Sequence, residues 1–187
     1  MTDPSVPPSA AELKEVALGY LARYAATETG VRRILMRRVD KWRSKQADVD
    51  QAILQNLQEI VGQVVAGLVR NGYLNDREFA ATKGRSLRRD GRSTRTARAK
   101  LLLKGVPAAL AREALPDDPT ADLAAAVTTA RRRRLGPFRP ASRATSEDAA
   151  RDLARLLRAG FSMAIARRAL GMTPEEAEAL LQDVHER

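Results

Sequence analysis

Two stretches of this chain repeat each other without a gap. Leu101-Leu102-Leu103-Lys104-Gly105-Val106-Pro107-Ala108-Ala109-Leu110-Ala111-Arg112-Glu113-Ala114-Leu115 aligns with Leu156-Leu157-Arg158-Ala159-Gly160-Phe161-Ser162-Met163-Ala164-Ile165-Ala166-Arg167-Arg168-Ala169-Leu170, at an offset of 55. Each copy reads as a helix with a double leucine, a glycine stop, one apolar residue and a short helix ending in Ala-Leu. Ile34-Leu35-Met36-Arg37-Arg38-Val39 fits the scheme more weakly, with Arg38 in the glycine slot. Three tandem units follow, each with a first helix, a basic second helix and a third helix packed across it. Units of that kind have small cores and stack on their neighbours, so the expected shape is elongated and curved. No segment alternates convincingly at period two, and the chain reads as all-α.

The punctuation between helices is clearest at Asn71–Ala80. Gly72 can adopt the left-handed conformation that closes a helix, with Tyr73 or Leu74 folding back as an apolar lock. Asn75 and Glu78 form a capping-box pattern, and Leu74 and Phe79 stand where a hydrophobic staple would set the entry angle. In chain order, Ser9 with Glu12 starts a helix to about Ala25, and Thr27-Glu28 starts a basic one. Asp48 is the expected cap of a long amphipathic helix that ends at Asn71-Gly72. Further helices are expected from Asn75 or Asp76 to Arg89, Ser93 to Lys104, Pro107 to Leu115, and Pro119 to about Arg134. The last three run from Ser146 to Ala159, Ser162 to Leu170, and Thr173 to about Val184. The expected organisation is a disordered tail (1–8), a first repeat (9–71), a basic second repeat (72–118), a third repeat (119–172) and a C-terminal helix (173–187).

The 187 residues carry 33 Lys and Arg against 23 Asp and Glu, a formal charge of +10. Arginine dominates, and its planar fork suits phosphates and carboxylates. An excess of this size points to an acidic partner, either nucleic acid or a carboxylate-rich protein surface. Aromatic residues are 4% of the chain, which argues against base stacking as the main device. There is no cysteine, so disulfides and thiol chemistry are excluded. The N-terminus lacks a signal-peptide pattern, and the apolar runs read as too short to span a bilayer. A soluble, cytoplasmic protein is expected. The single histidine, His185, can form neither a metal cluster nor a nucleophile–base pair by itself, and no phosphate-loop motif occurs. Asp117-Asp118 and Glu175-Glu176 stand at helix starts, where the dipole accounts for them. Trp42 reads as a packing anchor. No enzyme, no cofactor and no metal site are expected.

The order of motifs is familiar. A Thr-Glu-started basic helix (Thr27–Val39) precedes Gly-Tyr-Leu-Asn-Asp-x-x-Phe-Ala (Gly72–Ala80). Gly-x-Ser (Gly91–Ser93), Leu-x-x-Lys-Gly-Val (Leu101–Val106) and Arg-Ala-Gly-Phe (Arg158–Phe161) follow. This resembles the RecX family of regulators of the RecA recombinase, over roughly Ala11 to Leu170. Gly72–Leu115 is the most specific part. Ala97 departs from the bulkier aliphatic residue more usual in the family, and Arg38 from a glycine. The resemblance implies tandem three-helix repeats and a role without catalysis. It implies binding in the groove of the RecA nucleoprotein filament on single-stranded DNA. That binding restrains filament growth, ATP hydrolysis and strand exchange, and so modulates recombination and the damage response. Direct DNA contact by the basic surface is attributed to some members.

Lys83–Arg112 concentrates the charge. It holds ten basic residues: Lys83, Arg85, Arg88, Arg89, Arg92, Arg95, Arg98, Lys100, Lys104 and Arg112. Helical spacing places Arg85 with Arg88 or Arg89, Arg95 with Arg98, and Lys100 with Lys104 on shared faces. This set is the expected filament- or DNA-facing surface, with Arg131, Arg132, Arg133 and Arg134 as a second basic site. Gly72, Tyr73, Leu74, Asn75 and Phe79 form the joint that would orient the surface. Reversing the charge at Arg88, Arg92 and Arg95 is expected to abolish inhibition and leave the helical content intact. The competing reading is a helix-turn-helix DNA-binding protein that inserts the Ser93–Lys104 helix into the major groove. That reading asks for a symmetric dimer, and the chain, expected to be a monomer, has no obvious dimer zipper.

Overall fold

A computed structural model describes residues 6–140 and 146–185. Among these the regular elements are helices: α1 Ala10–Leu21, α2 Glu28–Arg43, α3 Gln51–Arg70, α4 Asp76–Arg89, α5 Thr94–Leu103, α6 Ala108–Ala114, α7 Pro119–Arg133, α8 Ser146–Arg158, α9 Met163–Leu170 and α10 Pro174–His185. A short 3-10 turn, Gly136–Phe138, lies between α7 and α8. Of the tail expected to be disordered, residues 1–5 lie outside the described residues, and Pro8 is buried.

The helix starts follow from capping chemistry. The Ser9 hydroxyl accepts the Glu12 N–H at 3.3 Å while the Glu12 carboxylate accepts the Ser9 N–H at 2.8 Å. Thr173 and Glu176 form the same reciprocal pair at 3.2 and 2.9 Å. Each pair satisfies donors that have no partner inside the helix. Asn75 accepts the Glu78 N–H at 3.0 Å. The start of α3 corrects the sequence reading. Asp50, not Asp48, caps it by accepting the Ala52 N–H, while Asp48 accepts from Val49.

The helix stops are as local as the starts. At Gly72, Gly91 and Gly160 the backbone has positive φ, and paired bonds close the last turn. Tyr73 N–H donates to Leu68, Arg92 N–H to Leu87, and Phe161 N–H to Leu156. Each is the six-to-one bond of a Schellman ending. Leu74 supplies the apolar lock at the first of these, buried at 3% exposure, while Tyr73 stays exposed. Arg134 makes the same ending at φ 54, where a non-glycine residue is strained. Arg38 has no such role. It lies inside the unbroken α2, so the weak third copy of the repeat does not carry the glycine stop. The helix continues past it to Arg43.

The chain divides into two compact units. One takes in the described residues up to Phe79 together with Lys104–Pro107, and the other Ala80–Leu103 and the described residues from Ala108 onward. In the first, α1, α2 and α3 enclose Leu13, Val31, Leu35, Val39, Leu57, Val61, Val65 and Leu68, joined by Trp42 and Leu74. Trp42 is thus a packing anchor. The apolar runs understate α3, which at 20 residues is long and apolar enough to cross a membrane. Here it turns Leu57, Val61, Val65 and Leu68 inward and Gln55, Gln58, Glu59 and Gln63 outward. In the second unit α7 is central. Leu123, Ala125, Ala126, Val127 and Ala130 pack with Leu156, Phe161, Ala166, Ala169, Ala177 and Leu181. Small side chains on α7 and α9 let those helices approach closely. Asp152, almost fully buried, accepts from the Gly136 N–H and from Arg139, which fixes the turn after α7.

Candidate functional site

Each unit contains the same joint at the start of a basic helix. In the first unit the Thr27 hydroxyl caps α2 by accepting the Gly30 N–H at 2.9 Å. It also donates to the Lys104 carbonyl at 2.6 Å. The next donor along, Glu28 N–H, bonds the Asp76 carboxylate at 2.9 Å. In the second unit Ser93 caps α5 by accepting the Thr96 N–H at 3.2 Å. The Ser93 and Thr96 hydroxyls sit 2.9 and 2.8 Å from the Ala159 carbonyl. Thr94 N–H donates to Asp122 at 2.8 Å. Lys104 and Ala159 immediately precede Gly105 and Gly160, equivalent positions of the repeat. An orphan carbonyl at a helix C-terminus thus meets the capped N-terminus of another helix, opposite dipole ends together.

The glycines make the approach possible. A Cβ on Gly105 would lie 2.5 Å from the Thr29 Cβ, and one on Gly160 2.5 Å from the Thr96 Oγ1 and 2.7 Å from the Ser93 Oγ. Thr27 and Ser93 were legible as caps, but not their long-range acceptors, which lie 77 and 66 residues away in the chain. Asp76 and Asp122 gave no signal beyond a charge near a helix start.

Burial pushes the Asp76 carboxyl above its ordinary pKa, and the Glu28 N–H pulls it partly back. An acid raised by folding stabilises below the unfolded pKa and loses that contribution as pH rises through the folded one. Asp76→Asn keeps an oxygen for Glu28 and removes the titration. Between about pH 7 and pH 4 the urea midpoint of the wild-type chain should therefore rise relative to that variant as pH falls. A parallel course of the two midpoints would exclude this role.

The basic segment divides by orientation. Lys83, Arg85, Arg89, Arg92, Arg95, Lys100, Lys104 and Arg112 are exposed. None of these eight forms an ion pair among the described residues, and Arg85 bonds only the Thr82 hydroxyl. Arg85 and Arg89 do share the outer face of α4. Arg88 and Arg98 turn inward. Arg88 bonds both Asp122 and the Thr94 hydroxyl, at the second joint. Arg98 donates to the Leu115 carbonyl at 2.8 Å and pairs with Asp117 at 3.0 Å. These two are cations of the fold, and charge reversal at Arg88 is expected to break its bonds to Asp122 and Thr94 as well as to change the surface. Of the four consecutive arginines, Arg131 pairs with Glu178 and Arg132 bonds the Asp90 carbonyl, while Arg133 and Arg134 are exposed. On α2, exposed Arg33, Arg37 and Lys41 recur every four residues, an unneutralised row on the side away from the core.

At the expected joint, Leu74 is in the core, Gly72, Tyr73 and Asn75 are exposed, and Phe79 is half-buried. Nothing lies within 4 Å of a Cβ built on Gly72. Among the described residues no group of His, Asp and Glu is placed to hold a metal ion. The His185 side chain lies outside what the structure describes.

Comparison with known proteins gives consistent matches. The chain is 43% identical over 165 residues to "Regulatory protein RecX" of Myxococcus xanthus, covering 87% of this chain and 86% of the relative. It is 35% identical over 167 residues to "Regulatory protein RecX" of Agrobacterium fabrum, covering 89% and 86%. Among solved structures, the crystal structure of RecX from Lactobacillus salivarius superposes with a TM-score of 0.63 at 19% identity, over 91% of this chain and 97% of that one. A second RecX crystal structure gives 0.60 at 20% identity, over 84% and 71%. No family model matches.

Proposed function

The chain belongs to the RecX family of regulatory proteins, and we propose that it is a non-enzymatic regulator of the RecA nucleoprotein filament on single-stranded DNA. In this reading it acts in the cytoplasm as a monomer. It restrains filament extension, ATP hydrolysis and strand exchange, and thereby regulates recombination and the damage response. The observation that carries the reading is the row of outward cations on two successive helices, Arg85 and Arg89 on α4, then Arg92 and Arg95 leading into α5, none neutralised by a described carboxylate. Unpaired arginines on rigid elements suit a partner that supplies phosphates or carboxylates, and a protein–DNA filament offers both.

Burial at the start of α5 speaks against the alternative, a helix-turn-helix protein reading duplex DNA. A recognition helix reads base edges with its N-terminal residues. Ser93 and Thr94 are 0% and 4% exposed and are bonded to Ala159 and Asp122. The Ser93 and Thr94 side chains at that end of α5 are thus engaged within the fold and not presented to a groove.

The test is RecA-catalysed ATP hydrolysis on single-stranded DNA. The wild-type chain should lower the rate when present well below one copy per RecA. The pair Arg92→Glu and Arg95→Glu should need at least about tenfold more protein for half inhibition, as expected for reversed charges at a screened interface. Circular dichroism should show unchanged helical content. Sequence-selective affinity for bare duplex, with no effect on RecA, would overturn the reading.

A further inference from the structure

The outer face of α5 is half basic and half apolar. Arg95, Ala99, Leu102 and Leu103 follow at i, i+4, i+7 and i+8, one solvent-facing stripe, and all four are exposed. Leu102 is 49% exposed and Leu103 76%, and neither belongs to a core cluster. Arg92 precedes the stripe and Lys100 flanks it, both exposed and without ion pairs among the described residues. Single exposed apolar residues are ordinary. Two adjacent leucines at the end of a helix rimmed by cations make a small apolar centre with a charged border, the anatomy of a protein-binding patch. The repeat does not demand it. Arg158 stands at the position equivalent to Leu103, and Leu157, equivalent to Leu102, packs against the second unit's core.

We infer that the α5 face, Arg95 to Leu103, docks on the protein component of the filament, in an apolar depression bordered by carboxylates, and does not contact DNA. This rests on the function proposed above and assigns this face to one of the filament's two components. The chemistry decides between them. An aliphatic side chain has no charge or donor for a phosphate and no ring to stack on a base, so nucleic acid covers Leu102 and Leu103 less favourably than an apolar protein surface does. Covering them with an apolar protein surface removes both from water, while Arg92, Arg95 and Lys100 meet acidic groups at the rim.

The experiment measures binding of the full chain to RecA filaments and to bare single-stranded DNA of the same length. It compares wild type, Leu102→Ser with Leu103→Ser, Leu103→Lys and Leu103→Asp. Exposed positions tolerate these changes, and thermal midpoints should coincide. The double serine variant should bind filaments at least about tenfold more weakly, as expected for loss of an interface anchor, with less than a twofold change on bare DNA. Leu103→Asp should lose more filament affinity than Leu103→Lys. Filament affinity within twofold of wild type, or an equal loss on bare DNA, overturns the assignment alone. A wild-type chain that does not bind filaments overturns the functional reading, and this inference with it.

Discussion

Replacing Gly160 by alanine should destabilise the second unit by roughly 3 kcal/mol or more, read as a shift in the urea or thermal midpoint. Two costs combine. The residue sits at φ +92, where a side chain is strained, and its new Cβ would lie 2.5 Å from the Thr96 Oγ1 and 2.7 Å from the Ser93 Oγ. Those hydroxyls approach the Ala159 carbonyl at 2.8 and 2.9 Å, so moving either aside breaks a part-buried hydrogen bond. Gly105→Ala should behave alike in the first unit, because its Cβ would meet the Thr29 Cβ at 2.5 Å. Gly72→Ala is the control. Its φ of +75 imposes strain, but nothing lies within 4 Å, so the cost should be about 1 kcal/mol. Three equal costs would mean that backbone strain alone matters and that the joints are not tightly packed.

Arg88→Ala should cost about 3 kcal/mol, whereas Arg95→Ala should stay within about 0.5 kcal/mol of wild type. The two arginines stand seven positions apart in the same basic segment and differ in what they touch. Arg88 is 17% exposed and bridges Asp122 to the Thr94 hydroxyl. Removing it leaves the Asp122 carboxylate, 22% exposed, held by the Thr94 N–H and hydroxyl. Arg95 faces water with no ion pair among the described residues. Chemical denaturation of the two variants measures this directly. A near-neutral Arg88→Ala would return that residue to the set of surface cations. For the same reason a functional charge-reversal series belongs at Arg92 and Arg95. At Arg88, lost inhibition would follow from a damaged joint whatever the residue contacts.

The local grammar of the chain was legible because its signals act within about one helical turn. A serine or threonine three residues before a glutamate, or a glycine after an apolar period, closes its own bonds whatever the rest of the chain does. Helix ends at Ser9, Asn71-Gly72, Gly160 and Thr173 were therefore readable. Asp48 was misread because two aspartates two residues apart offer the same cap, and backbone geometry selects Asp50. Arg38, standing where the repeat has glycine elsewhere, was already a departure from the pattern, and α2 runs unbroken through it.

The sequence by itself determined the all-α class, the helix ends that carry local caps and glycine stops, the charge that calls for an acidic partner, and the motif order shared with RecX proteins. Only the tertiary structure decided which residues hold the joints and which cations face out. Thr27 finds Lys104, Glu28 finds Asp76, Ser93 finds Ala159 and Thr94 finds Asp122 across 77, 48, 66 and 28 residues. A hydroxyl or carboxylate carries no mark of so distant a partner. An arginine's charge is the same in either orientation, and only the packing of α4 and α5 against their neighbours turned Arg88 and Arg98 inward and left Arg92 and Arg95 in water.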